Sequence, residues 1–207
     1  MLDIVKLELS HWTVNVWCDF FVEEVHEMNH FATVANKNMP SGNDIRNCIR
    51  VRRFREEDAD EVSRLIVRNF LEVNSKDYGI AAMEELANVY DSGKVLNIAS
   101  YAHMYVFEWN GMIVGTGSIS SFWGSETESI LLTVFVLPEF HGKGIGRKII
   151  HTLEQDPFYI RASRIEIPAS ITAAEFYRKF GYDYKNGVME LDEEQHYRLE
   201  KFKKAGQ

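Results

Sequence analysis

Gly142, Gly144 and Gly146 alternate through His-Gly-Lys-Gly-Ile-Gly at 141–146. They join an apolar run ending in Val134-Phe-Val-Leu137 to an amphipathic stretch carrying Ile149, Ile150 and Leu153. Glycines at that spacing between strand and helix build an anion cradle. They remove side chains where backbone N–H groups must converge, and the helix aims its positive dipole end at the same point. Lys143, Arg147 and Lys148 add positive charge there. Such turns also serve close packing, so the cradle alone does not name a ligand. Two other phosphate loops fit the residues around the last glycine worse, which leaves a nucleotide enzyme as a minor alternative. A Walker loop needs Lys-Ser/Thr after its last glycine, and here Arg147-Lys148 stands in that place. A dinucleotide fingerprint needs Gly-x-Gly-x-x-Gly, whereas Gly142-x-Gly144-x-Gly146 runs on into Arg147, Lys148 and Ile149.

Downstream lies Ala173-Ala-Glu-Phe-Tyr-Arg-Lys-Phe-Gly-Tyr182. The two segments together resemble the GCN5-related N-acetyltransferase (GNAT) family. Its signature, Arg/Gln-x-x-Gly-x-Gly/Ala, reads here His141-x-x-Gly144-x-Gly146. Its second block, Asn-x-x-Ala-x-x-Phe-Tyr followed by Gly-Phe/Tyr, reads Ser170-x-x-Ala173-x-x-Phe176-Tyr177 with Gly181-Tyr182. The chain departs from the pattern where His141 replaces Arg or Gln and Ser170 replaces Asn; both remain hydrogen-bonding residues.

The resemblance implies an α/β fold of α+β type, a mixed and mostly antiparallel central sheet flanked by helices. It also implies acetyl transfer from acetyl-CoA to a primary amine by direct attack, with acetyl-CoA as cosubstrate and no metal. On that reading the amides of Gly142, Lys143, Gly144, Ile145, Gly146 and Arg147, with His141, hold the diphosphate. Phe135, Val136 and Leu137 line the pantetheine arm with backbone groups their strand neighbour leaves free, and Val136 N–H polarises the thioester carbonyl. Ser170 stands at the second cofactor position. Tyr177 occupies the place of the acid that protonates the departing thiolate. Ala173, Phe176, Tyr177 and Phe180 also follow the spacing of a core-facing helical stripe, so the ring has a packing role open to it as well. Some members carry a base on the fourth strand, where this chain has Ile130. Glu128, two residues earlier and on the same strand face, is the carboxylate offered instead, with Glu126 and a water chain as rivals. The missing glutamate and His141 leave a second class of reading open: an acyl-CoA-binding sensor or interaction module with little or no turnover.

The elements that must position these residues are set by periodicity. Cys48 to Phe54 alternates as a first strand, and Glu56-Glu-Asp58 opens a helix with Val62, Leu65, Ile66 and Phe70 as its stripe. A second helix runs from Ile80 to Tyr90 and stops at Asp91-Ser-Gly93. Met104–Phe107 and Met112–Ile119 flank Asn110-Gly111 as a hairpin. Ile130 to Leu137 is a continuous apolar strand, central in the sheet, and Pro138 ends it. A fifth strand spans Arg164 to Ile167, with Pro168 just past its end, and Ser170 caps a helix that reaches Phe180 and stops at Gly181. The family fold parts the strand of Ile130–Leu137 from that of Arg164–Ile167. Tyr182–Tyr184 and Val188–Leu191 read as a last hairpin around Asn186-Gly187, and residues 192–204 as a solvated charged helix.

The domain reading is an N-terminal extension and linker over 1–48, a GNAT domain over 49–191, and a charged helical tail over 192–207. The extension has no assigned role: it covers the core or a dimer surface, or it precedes a chain that starts at Met39. At 207 residues and 45% apolar composition the chain can bury one sizeable core. A formal charge of −8 argues against nucleic acid and against anionic membrane surfaces, and suits amine-bearing substrates. Two cysteines, Cys18 and Cys48, make no disulfide framework, and no apolar run approaches a membrane span; a cytoplasmic location is expected. Partners are then a small-molecule or peptide amine, with a homodimer left open. His26-Glu-Met-Asn-His30 matches a zinc-protease pattern but has no preceding domain to build a cleft, so it reads as surface histidines.

Overall fold

The computed structural model describes residues 48–203. Contacts divide the chain into residues 1–39 and 40–207, and every described residue lies in the second unit. The histidine pair at 26 and 30, Cys18 and nearly all of the 1–48 extension fall outside the described residues.

Seven strands form one sheet in the order β1-β2-β3-β4-β5-β7-β6. They are β1 (Arg50–Arg53), β2 (His103–Trp109), β3 (Met112–Ser121), β4 (Glu128–Val136), β5 (Arg164–Ala169), β6 (Asp183–Tyr184) and β7 (Tyr197–Phe202). Only β4 and β5 pair in parallel; the rest of the sheet is antiparallel, as expected for this mixed α/β class. The helices are α1 (Ala59–Asn69), continued by a wide turn over Phe70–Asn74, then α2 (Ser75–Tyr78), α3 (Ile80–Val89), α4 (Ser92–Tyr101), α5 (Ile145–Leu153), α6 (Pro157–Arg161) and α7 (Ala174–Arg178). The stripe of α1 is buried as its spacing demands: Val62, Leu65, Ile66 and Phe70 are all in the core. Asn110 and Gly111 both take positive φ, 50° and 86°, which is the twist a two-residue hairpin between β2 and β3 requires.

One sequence expectation is extended and three are corrected. Asp91-Ser-Gly93 does not merely end a helix: Asp91 accepts a bond from Lys94 N (2.8 Å) and caps α4, so the same polar triplet closes one helix and opens the next. The charged tail is a strand, not a helix, for β7 lies between β5 and β6 with Leu199 fully buried. Residues 188–191 do not form a hairpin with Tyr182–Tyr184. β6 pairs with β7 instead, and Leu191 makes a single bridge to Tyr197. Pro168 is not past the end of β5 but inside it, opposite Arg198.

That last correction explains how the sheet opens. Lys203 N donates to Ser163 O (2.9 Å), so alternation along β5 turns the backbone groups of 164, 166 and 168 away from β7 and toward β4. The β4–β5 ladder runs Glu128↔Arg164, Ser129↔Ile165, Ile130↔Glu166 and stops. The next rung needs an N–H at 168, and proline has none. Beyond it β5 stays with β7, β4 stays with β3, and a slot opens between them.

Candidate active site

The slot ends in the glycine turn. Gly142 and Gly144 hold φ of 72° and 84°, in the left-handed region, and Gly144 is the N-terminal boundary residue of α5 with no side-chain cap. No amide from 142 to 147 donates to another described residue, so the first-turn N–H groups of α5 point out unspent. Gly146 serves packing: a Cβ there would meet Phe176 Cζ at 3.0 Å. The helix is brought down onto the sheet by two further glycines that the sequence reading passed over. A Cβ on Gly117 would lie 2.4 Å from Ile149 Cγ2, and one on Gly115 would lie 3.2 Å from Ile145 Cγ2.

The side chains around the turn divide. His141 Nε2 lies 2.7 Å from Val136 O; a carbonyl only accepts, so Nε2 carries the proton. Lys143 and Arg147 stay beside the turn, with the Arg147 guanidinium over the Phe180 ring, whereas Lys148 Nζ donates to Ile49 O. Glu139, just before the turn, is gripped by Arg68 of α1 (3.0 and 3.1 Å), which also holds Glu72. Burial opposes the charge on Arg68, and the two carboxylates outweigh it and move its pKa up.

Of the three β4 residues expected to offer free backbone groups, one does so by its geometry. Leu137 N donates to Val114 O (2.9 Å), and Phe135, two residues back, faces Thr116 in the same alternation, while its ring packs edge-on to Phe70. Val136 sits between them and turns away from β3: His141 Nε2 takes its C=O, and its N–H is left facing the slot. This register depends on a bulge: β3 pairs Ser118 with Leu132 but Thr116 with Phe135, and Thr133 takes φ 48°.

Glu128 is paired, not free. It sits on the closed part of the ladder and accepts from Arg164 Nη1 (3.1 Å). The carboxylate in register with Ile130 is on the neighbouring strand. Glu166, fully buried, binds Lys185 Nζ (2.9 Å), Arg198 Nε (2.8 Å) and Arg164 Nη2. Burial favours its neutral acid, but Lys185, Arg198 and Arg164 outweigh that and hold its pKa below the usual glutamate range. Arg164 in turn binds Glu200 (2.7 Å). Sequence reasoning missed this network, although a charge between Ile165 and Ile167 on a buried strand was its signal, since buried charges are paired.

Tyr177 lies on α7 with its ring buried against Phe176 and Tyr182. Its hydroxyl forms no hydrogen bond among the described residues, and burial pushes the phenol pKa up. Ser170 does not cap with its side chain; its carbonyl accepts from Ala173 and Ala174 N (3.0 and 3.1 Å) at a short turn, so α7 begins only at Ala174. The turn is tied across the fold by another residue that sequence reasoning overlooked. Tyr78 of α2 accepts from Ile171 N and donates to Gln195 O, both at 2.9 Å. Among the described residues, Asp192, Glu194 and His196 bring ligand atoms within 4.8 Å of one another, but Asp192 Oδ1 already accepts from the amides of both neighbours, as in a turn. No helix among the described residues is long and apolar enough to cross a membrane.

A parted parallel pair that leads into an uncapped glycine turn is a specific architecture. Residues 100–184 match the family model of the acetyltransferase (GNAT) domain. That match identifies residues 100–184 as a GNAT domain. In fold it is similar to the PaiA N-acetyltransferase of Thermoplasma acidophilum, solved in complex with coenzyme A. The TM-score is 0.64 at 16% identity, over 75% of this chain and 99% of that one. A GCN5-related N-acetyltransferase from Rhodopseudomonas palustris is similar at TM-score 0.61 and 23% identity, over 74% and 94% of the two chains. Ard1 of Thermoplasma volcanium is similar at 0.54 and 16%, over 75% and 97%. Among curated proteins none matches this sequence. The GNAT domain model stops at 184, yet the sheet of this chain needs β7 as well, because β7 pairs with β5 along its whole length and supplies Arg198 and Glu200 to the Glu166 network.

Proposed function

We propose that the chain moves an acetyl group from acetyl-CoA to a primary amine by direct attack. The observation that carries this is the slot itself: β4 and β5 part at Pro168, and the unspent amides of 142–147 wait at its end. These residues fit a diphosphate, because the turn offers converging N–H donors, left-handed glycines and the start of a nine-residue helix. Acetyl-CoA supplies the thioester. The chain supplies the grip on the phosphates through Gly142, Lys143, Gly144, Ile145, Gly146 and Arg147. Val136 N–H polarises the thioester carbonyl in this reading, a bond that strengthens as negative charge develops on that oxygen. Tyr177 is the candidate proton donor to the leaving thiolate; burial keeps its phenol protonated.

Acetyl-CoA binding by calorimetry, with thiol release followed across a panel of small and peptide amines, tests the reading. Release with at least one amine is the expected outcome. Binding without release from any amine favours the second reading, an acyl-CoA-binding module, for which one observation speaks: Glu128 and Glu166 are both held in ion pairs. No binding at all removes both.

A further inference from the structure

The bulge in β4 is built by two hydroxyls. Ser118, fully buried on β3, donates to Leu132 O (3.0 Å), and its oxygen lies 2.5 Å from Thr133 Oγ1. A serine has one proton, and a carbonyl can only accept, so the proton between the two hydroxyls belongs to Thr133. The bonds therefore run in one direction: Thr133 O–H to Ser118 Oγ, Ser118 O–H to Leu132 O. They close a ring around a residue whose φ of 48° is unfavourable for a β-branched side chain. Such a conformation persists only where its surroundings impose it, and here the hydroxyl pair does so.

The register on either side shows what the bulge controls. Below it the paired residues on β3 and β4 are Ser118 with Leu132; above it they are Thr116 with Phe135, an offset of one. A one-residue slip reverses which backbone groups face the neighbouring strand. With the bulge, Val136 faces the slot. Without it, Val136 N–H would turn to β3, and Phe135 and Leu137 would face the slot.

We infer that Ser118 and Thr133 are positioning residues for acetyl transfer: their hydroxyl pair locks β4 in the register that presents Val136 N–H to the thioester. This rests on the reading of the slot as an acetyl-CoA site. Neither side chain is required to touch the reacting atoms.

The test compares Thr133→Val, which keeps the shape and removes the donor, with Ser118→Ala, the double variant and Thr133→Ser, which keeps the donor. Amide hydrogen exchange over residues 131–137 is measured on each, with turnover and acetyl-CoA affinity alongside. Faster exchange in Thr133→Val and Ser118→Ala, with parental exchange in Thr133→Ser, is the expected result. Loss of an oriented N–H donor lowers kcat by about 10²–10³-fold, so both single variants should fall toward that range while Thr133→Ser stays near parent. The double variant should be no worse than the poorer single, because both remove one linkage. Parental exchange and a kcat within about twofold of parent in Thr133→Val would overturn the inference, as would losses that simply add. If no variant and no parent binds acetyl-CoA, the slot reading fails; the exchange comparison still decides whether the hydroxyl pair sets the register.

Discussion

Gly144 is the position at which the cradle can be tested most sharply, because stability and binding move by different routes there. Its φ of 84° costs an L-residue about 1–2 kcal/mol relative to glycine. For a domain of this size that is a fall of roughly 2–8 °C in Tm, at about 2–4 °C per kcal/mol. Gly144→Ala should show that fall. Gly144→Glu carries the same backbone strain but places a carboxylate at the start of α5, where the helix dipole returns about 0.3–1 kcal/mol. Its melt should therefore be no worse than that of the alanine variant. Binding should go the other way. A hydrogen bond to a charged group contributes about 1.5–3 kcal/mol, so losing one amide–phosphate bond weakens acetyl-CoA by about 10- to 150-fold. The alanine variant should lie near the lower end, and the glutamate variant beyond it because its charge repels the diphosphate. Calorimetric titration with acetyl-CoA and thermal melts on the same preparations separate the two effects. A folded Gly144→Glu protein that binds acetyl-CoA within about twofold of parent would show that the turn does not hold the phosphates.

Two other residues carry predictions of their own. Tyr177→Phe should lower kcat by about 10²–10⁴-fold while acetyl-CoA Kd and Tm stay near parent, since the hydroxyl has no partner to lose among the described residues; a parental kcat returns the ring to a packing role alone. Glu166→Gln removes the shared partner of three cations and should cost about 3 kcal/mol, or roughly 6–12 °C in Tm. Because the folded-state pKa of Glu166 is lowered, its contribution is fully present above the ordinary glutamate range and is lost as pH falls through the lowered value. The parent's melting temperature should therefore drop more steeply than the variant's on acidification below about pH 4.3, and parallel curves would remove Glu166 from the acid response.

The parts of this fold legible in the sequence are those whose cause is local. Val62, Leu65, Ile66 and Phe70 announce α1 by spacing, Asn110-Gly111 announces its hairpin by the φ it needs, and the alternating glycines announce the turn by what they leave out. Residues 192–204 hid β7 for the opposite reason. Taken alone, Arg198, Glu200 and Lys201 look like a solvated surface; in the fold Arg198 binds Glu166, Glu200 binds Arg164 and Lys201 binds Glu154. Each charge is consumed by a residue 32 to 47 positions away, which no window along the chain can show. Pro168 shows the same limit. Its type was visible and its link with the parting of the strands was expected, but its role as the missing donor of one rung appears only once β4 is beside it.

The candidate base was chosen by the same kind of local reasoning, and its surroundings bear on mechanism. Strand-face logic took Glu128 because it shares the face of Ile130, two residues along one strand. A sheet also brings residues together across strands, and Ile130 is directly beside Glu166. That carboxylate is in place but already committed: Lys185, Arg198 and Arg164 hold it ionised, and a base whose pKa is held down is a poor acceptor of a proton from an amine. Its work is instead to bind β5 to β7 and to the turn carrying Lys185. On the other side of the slot Ser118 and Thr133 bind β4 to β3. The slot is therefore a break in the sheet with a lock on each flank, and Pro168 is the residue that keeps the two flanks from closing.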